Sequence, residues 1–64
     1  MKFNNKYEAL NFLNEKYDVV SHDVTSFEEI DEFWHCFKRL NLANKIHGDD
    51  FKMAEKICIE RLNG

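Results

Sequence analysis

The sequence predicts an all-α fold: a small bundle of three main helices at about residues 5–18, 26–40 and 49–62, with a short helical turn at 42–47. Three observations point there. A chain of 64 residues can build one hydrophobic core only, so residues 1–64 make a single small domain. With no proline and only two glycines, little in the chain opposes helix continuation. Apolar residues also recur at three- and four-residue spacing behind capping residues in three separate stretches.

In the first stretch, Tyr7, Leu10, Leu13 and Tyr17 gather on one side of a helical wheel, with Glu8, Asn11 and Glu15 opposite. Asn5 followed by Glu8 has the spacing of a capping box, in which two side chains satisfy backbone N–H groups that a first turn leaves open.

Val19 to Thr25 combines three valines with poor helix formers, which predicts an extended connection or a short strand. A lone strand leaves its backbone groups without partners. The fold becomes α+β only if residues 19–25 find a strand to pair with.

Ser26 and Glu29 form the S-x-x-E capping box of the second helix. Phe27, Ile30, Phe33, Trp34, Phe37 and Leu40 then follow along one stripe, and four of those six are aromatic. Glu28, Glu29, Asp31 and Glu32 crowd its first turns while Lys38 and Arg39 close its last, an order that complements the partial charges at the helix ends. Beyond Leu40 the stripe loses phase, so a break or bend is expected near Asn41.

Residues 42–47 then form their short turn of helix, stopped at Gly48, whose tolerance of positive φ suits a C-terminal cap. Asp49 or Asp50 caps the last helix, on which Phe51, Ala54, Ile57, Cys58 and Leu62 share a face and Lys52, Glu55, Lys56 and Glu60 lie outside it.

Composition narrows function by exclusion. Nine basic residues against twelve acidic ones leave a net charge of −3, the wrong sign for a domain that lives on phosphate neutralisation, so nucleic acid is disfavoured as a partner. No apolar run approaches the roughly 20 residues of a membrane-spanning helix. The opening MKFNNKYEAL lacks the apolar core of an export signal, so cytoplasmic residence is expected. In a reducing compartment Cys36 and Cys58 stay as thiols.

Chemistry-bearing motifs are weak. His22, His35, His47, Cys36 and Cys58 number enough donors for zinc, but none stands at C-x2-C or H-x3-H spacing, and the adjacent His35 and Cys36 point about 100° apart on a helix. NKIHGDD lacks the alternating acids and distal Glu of a calcium loop, and one internal glycine cannot form a phosphate loop. No nucleophile has a base and an orienting group nearby in sequence. Neither cofactor, metal nor small-molecule substrate is expected, and the chain does not read as an enzyme.

The leading reading is a non-catalytic protein-interaction module, a regulator or inhibitor that docks on a protein partner or a copy of itself. Nine aromatic residues exceed what a domain of this size buries with ease, leaving apolar side chains at the surface. Phe12 and Ile59 lie off their helices' stripes and Met53 sits at a rim, so these three are the candidate contacts. Glu28, Glu29, Asp31 and Glu32 form an acidic rim that would steer the module toward a basic surface, including a groove that otherwise holds nucleic acid. The rival is a helix-turn-helix DNA-binding regulator, with residues 51–62 as the reading helix behind a short helix and a Gly-containing turn.

Overall fold

The computed structural model describes residues 3–43 and 48–63, with side chains as far as Ile59. These contain three helices: α1 (Lys6–Tyr17), α2 (Phe27–Leu42) and α3 (Asp49–Asn63). No strand occurs among the described residues, so the α+β alternative for residues 19–25 is not realised.

Each start has a local cause. Asn5 caps α1 by accepting the Glu8 N–H at 2.9 Å. The reciprocal half of the expected box is absent: the Glu8 carboxylate accepts from Asn4 Nδ2 at 3.2 Å instead. Ser26 caps α2 by accepting the Glu29 N–H at 3.3 Å. Glu29 Oε1 reaches one residue further back than a simple box requires, accepting from the Thr25 backbone N–H at 2.8 Å and the Thr25 hydroxyl at 2.6 Å. Before α3, Gly48 rather than an aspartate stands at the start: it has φ +69° and its carbonyl accepts from the Lys52 N–H at 3.2 Å. Asp49 and Asp50 are the first two residues of the helix.

Two boundaries differ from the sequence expectation. Helix α2 runs through Asn41 to Leu42, with Ala43 as its C-cap, so there is no break at Asn41. The stripe loses phase because Leu42 turns to solvent, 83% exposed, and not because the helix stops. Of the helical turn expected at 42–47, Leu42 belongs to α2 and residues 44–47 lie outside the described residues, as does the candidate donor His47.

Topology follows from contacts between helix ends. Lys6, at the start of α1, places its ammonium 4.2 Å from the ring centroid of Phe27, at the start of α2. Tyr17, at the end of α1, meets Phe37 edge-on at 5.9 Å. Helices α1 and α2 therefore run in the same direction, and residues 18–26 must cross back along the bundle to connect them. Helix α3 begins beside the end of α1 and the second half of α2, with Asp50 paired to Lys16 and Phe51 5.4 Å from Trp34 and 6.1 Å from Phe37, and returns to place Cys58 in the common core.

That core is Leu10 and Leu13 from α1, Val24 from the crossover, Ile30, Phe33 and Phe37 from α2, and Ala54 and Cys58 from α3. Size is divided between the helices: α2 supplies the rings, Phe33 and Phe37 stacked at 5.0 Å, and α3 supplies small side chains opposite. Small residues let a helix backbone approach, and the stacked rings fill the space between.

The crossover solves the problem of an extended segment without a sheet. Asn11 Oδ1 accepts from the Val24 N–H at 2.7 Å, and Asn11 Nδ2 donates to the Val24 carbonyl at 2.9 Å. One turn later on α1, Asn14 Oδ1 accepts from the Val20 N–H at 2.8 Å and Nδ2 donates to the His22 carbonyl at 2.9 Å. A carboxamide carries the same donor and acceptor as a peptide unit, so the two side chains act in place of a neighbouring strand. Asn14 is the buried polar residue of the described core, and Asn11 leaves the solvent-facing role that the helical wheel assigns to it.

Candidate functional site

Helix α2 carries an exposed face of mixed apolar and charged side chains. At about 100° per residue, Phe27, Lys38, Asp31 and Leu42 fall within about 60° of arc, well away from the face that buries Ile30, Phe33 and Phe37. All four are exposed, Phe27 by 52% and Leu42 by 83%. They span about 22 Å along the axis at 1.5 Å per residue, an apolar side chain at each end and one charge of each sign between. Glu28, Glu32, His35 and Arg39 continue the exposed face.

Phe27 corrects the expectation that it belongs to the buried stripe. It is the first residue of α2 and stands 52% exposed, and the Lys6 ammonium on its ring is a cation–π contact. Lys38 similarly lies 5.7 Å from the Trp34 ring centroid.

The apolar contacts expected from sequence divide. Ile59 is exposed, by 37%. Phe12 is not: it is half-buried, packed on the core and tilted against Phe3 at 5.5 Å. The chain before α1 folds back over it, a contact that helical periodicity cannot reveal. Met53 is half-buried against the core as well.

The acidic rim also divides. Glu29 is spent on the α2 cap, and its pKa is lowered, first by the hydroxyl and N–H of Thr25. With Glu32 it also flanks His22: His22 Nε2 lies 3.1 Å from Glu32 Oε1, and Nδ1 lies 3.1 Å from the Asp23 carbonyl and 3.4 Å from Glu29 Oε2. Acceptors face both ring nitrogens, which suits the doubly protonated imidazolium. The His22 pKa is accordingly raised, by the Asp23 carbonyl first and by Glu32 and Glu29 after it. Glu28 and Asp31 are exposed.

A second polar cluster ties α1 to α3. Asp50 Oδ2 accepts from the Tyr17 hydroxyl and forms an ion pair with Lys16 Nζ at 2.9 Å. The Tyr17 hydrogen bond, and then Lys16, hold the Asp50 carboxyl below the usual range, while the same contacts raise Tyr17 and Lys16. Every polar group in this cluster already has an internal partner, which marks it as a brace between helices.

No group of three or more His, Cys, Asp or Glu among the described residues is placed to hold a metal ion. Cys58 is in the core and Cys36 is half-buried, and both are thiols. No helix among the described residues is long and apolar enough to cross a membrane. Compared with known proteins, the chain matches no family model, no curated protein and no solved structure.

Proposed function

We propose that this protein is a small non-catalytic interaction module of the cytoplasm, a regulator or inhibitor that docks on a protein surface through the exposed face of α2. The observation that carries the reading is Leu42: a leucine at 83% exposure, on the same face as a half-exposed Phe27, with Asp31 and Lys38 between them and the exposed acids Glu28 and Glu32 toward the Phe27 end. Apolar anchors with a charged surround are what a docking surface uses for affinity and orientation respectively. The acids would favour a partner surface with basic character. Ile59, also exposed, is on α3 and lies outside this stripe.

The test is quantitative binding by the intact chain, as wild type and as Leu42→Asp, to partners captured from its native cell and then purified. Because Leu42 is so exposed, the variant should keep the helical circular dichroism of the wild type and lose binding by about tenfold or more, equivalent to ~1.4 kcal/mol. Binding that is unchanged in a folded Leu42→Asp variant removes α2 as the docking face.

A further inference from the structure

We infer that the face of α2 pairs with a second copy of this chain, helix against antiparallel helix, so that the module of the previous subsection is a self-associating one. The inference rests on that reading and names its partner. Its ground is complementarity within a single stripe. When two copies of α2 are laid antiparallel about a two-fold axis between Trp34 and His35, Phe27 of each copy meets Leu42 of the other. Asp31 of each meets Lys38 of the other, because both pairs of numbers share one midpoint.

Each of these side chains is exposed in the single molecule. Their spacing of four, seven and four residues is that of one helix face, so all four contacts can form at once. The apolar pair lies at both ends of the contact and the charge pair inside it, each made twice by symmetry. A parallel pairing would instead set Asp31 against Asp31 and Lys38 against Lys38, a like-charge arrangement that selects the antiparallel one. The charge order of α2, acids first and bases last, thus does more than complement the helix ends: it makes the helix its own electrostatic mate.

The interface is one helix wide and about 22 Å long, at the low end of specific interfaces. A dimer dissociating in the micromolar range or weaker, and weakened further by salt, is expected. The experiment is sedimentation equilibrium of the full chain from about 10 µM to 1 mM, at low and high salt, with circular dichroism as the control for folding.

Wild type should dimerise. Lys38→Glu should weaken the dimer by at least about tenfold, since both charge pairs become repulsive. The exchange Asp31→Lys with Lys38→Asp should restore it, because exchanging the charges leaves each pair matched. A dimer that Lys38→Glu and Leu42→Asp leave unchanged overturns the α2 pairing and leaves an interaction module that uses another face. A chain that is monomeric at every concentration overturns self-association, while the Leu42→Asp binding test with purified partners still decides the broader reading.

Discussion

Asn11 and Val24 are joined by two hydrogen bonds, the side-chain carboxamide of one pairing with the backbone N–H and C=O of the other at 2.7 and 2.9 Å. With Asn14 repeating the device on Val20 and His22, the crossover is held as a strand is held, by alternating donors and acceptors, but from a helix. Through it Val24 reaches the core, fully buried.

Truncating either amide should therefore destabilise far more than a polar-to-alanine change on a helix surface. Asn14→Ala leaves the Val20 N–H and His22 carbonyl without their partner, a loss of about 2 kcal/mol. In a domain of this size that lowers the melting temperature by roughly 8–16 °C. Asn14→Asp keeps the acceptor but sets a carboxylate against the His22 carbonyl, so it should match the alanine variant at neutral pH and recover on acidification, when the protonated acid can donate. Thermal unfolding of both variants at pH 4 and 7 provides the measurement. A stability within about 0.5 kcal/mol of wild type for Asn14→Ala would show that the amide pairing carries no weight.

Phe12 and Ile59 should respond oppositely to the same change. Phe12→Asp places a charge where a ring packs on the core and on Phe3, and should cost about 2 kcal/mol or more. Ile59→Asp, at an exposed position, should stay within about 1 kcal/mol of wild type. Urea unfolding of the two variants distinguishes them, and equal losses would contradict the placement of Phe12.

Stability should rise and fall with two titrations around His22. Its pKa is raised in the folded state, so its contribution is complete below the unfolded value of about 6.5 and is lost as pH rises through the folded one. The pKa of Glu29 is lowered, so its contribution is present above the unfolded value of about 4.3 and is lost as pH falls through the folded one. Both are in place between those limits. His22→Gln should flatten the decline on the alkaline side, read as urea midpoints from pH 5.5 to 8.5. Identical pH profiles for variant and wild type would remove His22 from the account.

On the acid side Asp50 acts alongside Glu29. The Asp50 carboxyl is held low, so its brace survives above the unfolded value of about 3.9 and is lost as pH falls below it through the folded value. Asp50→Ala should reduce the loss of stability between pH 4 and 2. At pH 7, Tyr17→Phe should cost about 0.5–1.5 kcal/mol by removing the hydroxyl that Asp50 accepts. Acid-unfolding curves of the two variants supply the check. A wild-type acid limb in Asp50→Ala would transfer the effect to another carboxylate.

Much of the architecture was legible from local rules. Asn5 and Ser26 cap the helices that their spacing announced, and Ile30, Phe33, Phe37, Ala54 and Cys58 occupy the core that the three- and four-residue rhythm assigned to them. The candidate surface was less legible. Periodicity places Phe27 and Leu42 by angle alone, and whether another helix lies at that angle is a property of the packed bundle. Phe27 sits past the edge of the core and Leu42 past the end of its stripe, so a buried angle became an exposed side chain in one case and a suspected break became continuous helix in the other. Phe12 failed in the reverse direction because Phe3, from outside any helix, covers it.

By itself, the amino-acid sequence determined what short-range forces decide: where helices begin, which of their faces is apolar, and how charge is ordered along α2. Only the packed fold decided that α1 and α2 run parallel, that Asn11 and Asn14 serve as a strand's edge, and that His22 lies between Glu29 and Glu32. The reason is physical. A cap or a stripe is settled by residues three or four apart, whereas these contacts join groups 6 to 21 residues apart that meet only after the crossover has folded back on α1.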